Sequence, residues 1–491
     1  MDSEPSRFVD EYFNLHERGT ELGRGGQGVV FRTKDPDVAV KLAFDGNGGP
    51  LPHAAYLEKL RHVRALPVPS GLHLAAPMAA LQERAGYVMR LLNDMESFAQ
   101  FCPDPTRRDA IPTEVPGWLS ALPEELAFSL IWYRDSGGLH RRLMALYKSA
   151  SILARLHGAG LVYGDVSPAN AFISKDPRSR EVWLIDADNL RYETARGGPG
   201  IYTPRFGAPE LVQGREGARQ RTDCHAFAVM AFSTLTLLHP FIGELVETGG
   251  DGDWADDDAD ASDKDEQAYA GHLPWILDEH DGRNRKDNGL VGVVLTDELM
   301  TLFQATFGPG RTHPCMRPSM FRWPAALARA ADETVTCSGC GMGHAFDFAA
   351  GSQECPFCEA ARTVTFVATA YDWRGRPVAG QAPVWQLAQD WGPHSPDPVL
   401  PHRLLYPFSV VDGDRDVLQL RRENDELRLT FCDGGRRHRL ALAAESEGDD
   451  AFVEFEGTAA VTLPQALGGF WIRVGGTHPR VVRCVIQHGA S

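Results

Sequence analysis

The chain has 491 residues, about three times a common domain length, so two or three domains and a large core are expected. A net charge of −17 with 43% hydrophobic and 23% charged residues is ordinary for a soluble globular protein and argues against general attraction to nucleic acid or anionic membrane. Nine cysteines, four of them in two CxxC pairs, favour metal binding over disulfides.

Met1 to Asp10 has no basic or apolar leader segment, so no secretory signal and a cytoplasmic location are expected. From Leu22 to Leu42, alternating apolar and polar residues around a glycine cluster predict a strand, a tight turn and further strands. His53 to Leu66 carries Ala54, Leu57, Leu60, Val63 and Leu66 on one helical stripe between Pro52 and Pro67. A long amphipathic helix is expected from near Leu139 to His157, ended at Gly158 and Gly160, with strands at LVY and VWLI beyond it. Phe227 to Leu238, running on to Phe241, is too interrupted to span a bilayer and reads as a buried helix.

Residues 244–288 hold a dense acidic run, Asp251 to Glu266, whose self-repulsion predicts a solvated, partly disordered insertion. A helical segment follows near Met320 to Ala331. Beyond Ala361 several short alternating runs predict an all-β sandwich or barrel, with its clearest hairpin at Leu427 to Leu442 around Asp433-Gly434-Gly435.

Gly23-Arg24-Gly25-Gly26-Gln27-Gly28 lies between two strand-like runs, and backbone N–H groups can approach a phosphate only where side chains are absent. The next strand, Val38-Ala39-Val40-Lys41, ends in a lysine that could reach phosphates. Such a lysine needs a carboxylate to orient it, and Glu58 is the one acidic residue on the first helix. Further on stand Tyr163-Gly164-Asp165-Val166-Ser167-Pro168-Ala169-Asn170 and Leu184-Ile185-Asp186-Ala187-Asp188. Here the order and spacing resemble the protein-kinase superfamily, with its H-R-D-x-x-x-x-N loop and D-F-G element.

The resemblance implies an α+β, bilobal kinase-like fold over residues 17–331. Asp165 would act on the attacking hydroxyl, with Lys41 and Glu58 as the other catalytic residues, while Asn170 and Asp186 would hold Mg²⁺. ATP would lie against Leu22, Gly23, Gly25, Gly28, Val30, Ala39 and Lys41, with Met89 as gatekeeper, Arg90 to Leu92 as the adenine-binding hinge and Glu96 on the ribose. Gly207-Ala208-Pro209-Glu210 resembles the A-P-E element, with Arg317 as partner of Glu210, and Asp223 resembles the aspartate that braces the catalytic loop.

Three departures bear on regulation and substrate. Tyr163-Gly164 replaces His-Arg, which removes the arginine that gathers a phosphorylated activation loop. Ser167 stands for the lysine directed at the γ-phosphate, and Ala187-Asp188 stands for Phe-Gly. These forms also resemble aminoglycoside and choline phosphotransferases. A small-molecule substrate and a catalytically silent scaffold are therefore the alternatives to a serine/threonine protein kinase.

Cys337, Cys340, Cys355 and Cys358 form two CxxC pairs fourteen residues apart, a four-thiolate set suited to structural Zn²⁺, with a disulfide pair or iron site as alternatives. A zinc ribbon is expected over residues 332–361 and a β-rich interaction or regulatory domain over 362–491. The kinase motifs followed by a Cys₄ ribbon resemble the bacterial kinases of tellurium-resistance-type operons. That resemblance implies a protein substrate and, as partners, a PP2C-like phosphatase and a von Willebrand A-type protein, without nucleic acid or membrane.

Overall fold

A computed structural model describes residues 6–488, apart from 46–47, 105, 107–115, 196, 199, 249–258, 350–353, 362–363, 374–379, 393–394, 424–425, 435–438, 445–451, 457–459, 465–468 and 476–479. The chain opens with β1 (Arg7–Val9), β2 (Leu15–Gly25), β3 (Gly28–Thr33) and β4 (Val38–Ala43), followed by helix α1 (His53–Arg64), β5 (Ala79–Ala80) and β6 (Gly86–Arg90). The six strands form one antiparallel sheet, ordered β1-β2-β3-β4-β6-β5. Val30 pairs with Lys41, Lys41 with Tyr87 and Ala39 with Met89, so these five side chains share a face. Phe8, Val29, Phe31, Val40, Leu42 and Val88 bury the opposite face. Tyr56 and Leu60 of α1 pack against Ala39, Tyr87 and Met89.

The middle of the chain is mainly helical. It comprises β7 (Met95–Ser97), α2 (Glu124–Asp135), α3 (Gly138–Gly158), β8 (Leu161–Val162), β9 (Ala171–Ser174), β10 (Val182–Leu184), β11 (Arg191–Tyr192), α4 (Pro209–Val212) and α5 (Gln220–Thr236). Small antiparallel sheets, β10-β9-β7 and β11-β8, flank the long helix α3. Helix α5 is buried over most of its length, the form expected of its apolar run. No helix among the described residues is long and apolar enough to cross a membrane.

Next come α6 (Glu244–Glu247), α7 (Ala259–Tyr269), α8 (Val291–Val294), α9 (Asp297–Phe307), α10 (Pro309–Thr312) and α11 (Trp323–Asp332). Much of 244–288 departs from the expected solvated insertion. Residues 249–258 lie outside the described residues, but Trp275 packs its ring on Phe232 and Phe307. Buried Asn284 donates to the carbonyls of Phe241 (3.0 Å) and Pro274 (2.8 Å). The apolar Trp275-Ile276 pair after the acidic run buries enough surface to anchor the segment despite its charge.

A short hairpin of β12 (Thr334–Thr336) and β13 (Gly343–Ala345) leads into the C-terminal region. Its elements are β14 (Val364–Asp372), β15 (Trp385–Asp390), β16 (Val399–Pro401), α12 (His402–Leu405), β17 (Asp416–Glu423), β18 (Glu426–Phe431), β19 (Arg439–Ala444), β20 (Val453–Glu456), β21 (Ala460–Pro464), β22 (Gly469–Val474) and β23 (Arg480–His488). They build two antiparallel sheets, ordered β15-β14-β23-β22-β19-β20 and β16-β17-β18-β21, around a common core. The expected hairpin at Leu427 to Leu442 does not form: β18 pairs with β17 and β21, and β19 with β20 and β22. Asp433-Gly434 instead starts a crossing between sheets, with Gly435 outside the described residues. Alternation marks a strand but does not choose its neighbour.

Asp332, at the end of α11, joins the two regions. Its carboxylate accepts from Arg403 Nε (2.7 Å) and Nη2 (2.5 Å) and from the Trp385 indole (2.7 Å), all buried. Arg329, one turn earlier, stacks 4.5 Å from the centre of the Trp385 ring.

Candidate active site

A cavity of about 870 Å³ lies between the first sheet and the helical region. The β2–β3 turn forms its roof. A Cβ at Gly23, Gly25 or Gly26 would meet nothing within 4 Å, so these backbone groups stay open to a ligand. Gly28 is required by close approach, since its Cβ would come within 2.2 Å of the Leu42 carbonyl oxygen. Leu22, Val30 and Ala39 give the cavity an apolar side, and Met89, Arg90 and Leu92 form its rear edge. Leu91 between them donates its N–H to the Asp37 carbonyl (2.8 Å).

Lys41 reaches into this cavity from β4, 3% exposed, and its ammonium contacts both Asp186 and Asp188 (3.3 Å to the latter). Burial opposes its charge, yet Asp188 and then Asp186 outweigh that cost and raise its pKa. Glu58 does not join this group, which corrects the expected lysine–glutamate pair. It lies exposed on the outer side of α1, and the residues turned toward the site are Tyr56 and Lys59. Adjacent helix positions diverge by about 100°, so burying Tyr56 and Leu60 carries Glu58 away.

Glu96 is the second correction. Its strand β7 pairs with β9, and its carboxylate sits 3.5 Å from Arg141, whereas Asp94 and Met95 line the cavity. Strand alternation sends successive side chains to opposite faces.

The catalytic-loop segment follows β8. Asp223, buried in α5, accepts the N–H groups of Tyr163 and Gly164 (both 2.8 Å) and a contact from His157 Nε2 (3.0 Å). Gly164 has φ +91°, and a Cβ there would stand 3.0 Å from the Arg191 guanidinium. Arg191 of β11 therefore stands beside position 164, where the sequence has no arginine. Tyr163 donates its hydroxyl to the Ile185 carbonyl, joining this loop to the segment that carries Asp186.

Asp165 is buried at the cavity floor. Its Oδ2 accepts from Asn170 Nδ2 (3.0 Å) and its Oδ1 from the Thr203 hydroxyl (2.8 Å). Desolvation and the charge of Asp186 raise its pKa against those hydrogen bonds, making it a stronger base than a solvated aspartate. Asn170 and Asp186 both open onto the cavity, with their segments joined by Ile185 N–H to Asn170 O (3.0 Å). A carboxylate and an amide oxygen on one cavity are ligand types that a hard divalent cation takes. Thr203 escaped sequence reasoning, because only the fold returns that segment to Asp165.

The four expected cysteines converge, with all Sγ atoms within 4.8 Å of one another. The Cys337–Cys358 and Cys340–Cys355 sulfur separations are each 3.6 Å. A tetrahedral Zn²⁺ with ordinary Zn–S bonds needs S···S edges of about 3.8 Å, so the set fits. Gly339 and Phe357 turn their N–H groups toward Cys337 Sγ (3.3 Å) and Cys355 Sγ (3.4 Å), which favours thiolates.

Cavity, lysine, carboxylates and loop meet at one place in the fold. The chain is related to the protein-kinase superfamily. It is 30% identical over 112 residues to the serine/threonine-protein kinase pkn2 of Myxococcus xanthus, covering 21% of this chain and 13% of that protein. It is 26% identical over 229 residues to the DNA damage-responsive serine/threonine-protein kinase RqkA of Deinococcus radiodurans, covering 45% of this chain and 30% of that protein. The chain therefore matches less than a third of the length of either relative. No protein-family model matches it.

Proposed function

We propose that this chain is an ATP- and Mg²⁺-dependent serine/threonine protein kinase, bilobal over residues 17–331, with a structural zinc ribbon at 332–361 and a β-rich interaction or regulatory region at 362–491. The observation that carries this reading is the Thr203 hydroxyl, 2.8 Å from Asp165 Oδ1 at the cavity floor. An aliphatic alcohol placed there against the carboxylate that would accept its proton supports the reading. As the substrate oxygen bonds to the γ-phosphorus, its proton passes to Asp165 and the β–γ bridging bond breaks, leaving ADP. Open glycine N–H groups and Lys41 would hold the phosphates, and Asn170 and Asp186 would hold the metal. Bound Mg²⁺ would supply charge neutralisation on the phosphate oxygens.

Support for a polypeptide substrate comes from Gly207-Ala208-Pro209-Glu210, which is locked in place by Arg317 beside the Thr203 segment. The proposed setting is bacterial cytoplasmic signalling or stress response, with a PP2C-like phosphatase and a von Willebrand A-type protein as partners and neither nucleic acid nor membrane engaged.

The test is incubation with γ-labelled ATP and Mg²⁺ beside Asp165→Asn. Label on Ser or Thr of a polypeptide, lost in the variant, is expected. ATP binding with no transfer would point to the scaffold, and ATP consumption with label only on added small molecules to the aminoglycoside-type alternative.

A further inference from the structure

Helix α1 turns a cation, Lys59, toward the nucleotide-site lysine where a carboxylate was expected. Two ammonium groups on one side of a buried site repel each other unless an anion lies between them. Asp188 is that anion. Its Oδ1 is 3.3 Å from Lys41, and its Oδ2 accepts from Lys59 (3.2 Å) and from the Tyr56 hydroxyl (3.0 Å). The residue is only 3% exposed.

Both oxygens of Asp188 are thus engaged inside the protein, and Asp188 is absent from the cavity lining that contains Asp165, Asn170 and Asp186. The neighbouring Asn189 extends the same linkage, accepting from Lys59 (2.9 Å) and donating to Gln27 of the glycine turn (3.3 Å). Helix, lysine and glycine turn are therefore tied together by two consecutive residues after the metal-site aspartate.

We propose that Asp188 is the positioning residue for Lys41, taking the place of a helix-borne glutamate, and that divalent metal is held by Asn170 and Asp186 without Asp188. This rests on the kinase reading of the site. It also places control of Lys41 in the segment after Asp186, to which α1 is tied through Tyr56 and Lys59.

The test measures binding of a non-hydrolysable ATP analogue with Mg²⁺ by calorimetry, and of Mn²⁺ with the same analogue by electron paramagnetic resonance. The full chain is compared with Asp188→Asn, Glu58→Gln and Asp186→Asn. Asp188→Asn is expected to weaken analogue binding at least tenfold while keeping the wild-type Mn²⁺ stoichiometry and signal shape. Glu58→Gln should stay within twofold of wild type, and Asp186→Asn should lose the bound Mn²⁺ signal. Unchanged analogue affinity in Asp188→Asn, altered Mn²⁺ coordination in that variant, or an equal loss in Glu58→Gln would each overturn the assignment. Should Asp188→Asn fail to fold, Tyr56→Phe removes one hydrogen bond to the same carboxylate and is expected to cost three- to tenfold in analogue affinity; no loss there counts against the proposal. A wild-type chain that binds no analogue defeats the kinase reading itself, which separates the two failures.

Discussion

Arg317 grips Glu210 through two parallel hydrogen bonds, Nη1 to Oε1 at 2.6 Å and Nη2 to Oε2 at 2.8 Å, with both residues buried. Arg317 also donates from Nε to the Gly310 carbonyl (2.7 Å), so the pair clamps the start of α4 to the segment between α10 and α11. Removing one partner leaves a buried charge without its counter-ion, which costs about 3–5 kcal/mol. Glu210→Gln is therefore expected to lower the denaturation midpoint strongly in urea unfolding followed by tryptophan fluorescence. An unchanged midpoint would show that the clamp does not support the fold.

His157 makes stability depend on pH. Burial disfavours its charge, but the Asp223 carboxylate outweighs this and pushes its pKa up to about 9, from an ordinary value of 6.5. A raised folded-state pKa contributes stability that is complete below pH 6.5 and disappears as pH rises through about 9. The contribution is on the order of 3 kcal/mol. Melting curves from pH 6 to 9.5 should show a fall for the native chain and a flatter profile for His157→Gln. Equal slopes would contradict the pairing with Asp223.

The four-cysteine cluster predicts about one zinc per chain, measured by elemental analysis of protein purified without added metal. Cys355→Ser should abolish that signal and destabilise the 332–361 segment, seen as faster proteolysis there. Trp118 meets Phe357 edge-on, with ring centres 6.1 Å apart, so part of the loss should spread to the turn at Gly117–Leu119 that precedes α2. Iron in place of zinc would replace the metal assignment but keep the ligand set.

Asp332 predicts that the C-terminal strands and the helical region unfold together. Asp332→Asn leaves Arg403 buried without its counter-ion and should destabilise the whole chain by several kcal/mol, on the order of 3–5. Hydrogen exchange should then rise in α11 and in β15 alike. Faster exchange confined to the C-terminal strands would instead show that they open independently.

Much of the site was legible because its chemistry is carried by short, ordered motifs. Gly23 to Gly28, Lys41, Asp165, Asn170 and Asp186 come together at one cavity from four segments of the chain. The two misplaced residues share a cause. Glu58 and Glu96 each carry a carboxylate on an element that borders the site, and each lies on the face of that element turned away from the cavity. The Leu427 to Leu442 hairpin failed for a related reason, since local alternation does not say which sheet a strand joins.

The sequence by itself determined the elements and the chemical inventory: glycines where backbone must lie bare, a strand lysine, spaced aspartates and asparagine, and two cysteine pairs. Those depend on local spacing, which one segment carries whole. Only the tertiary structure decided the partners: Asp188 rather than Glu58 beside Lys41, Thr203 on Asp165, and Arg191 beside Gly164. A partnership of buried charges is set by which faces pack together, and that choice is made by the burial of Tyr56, Leu60 and the surrounding core, far from the charges in sequence.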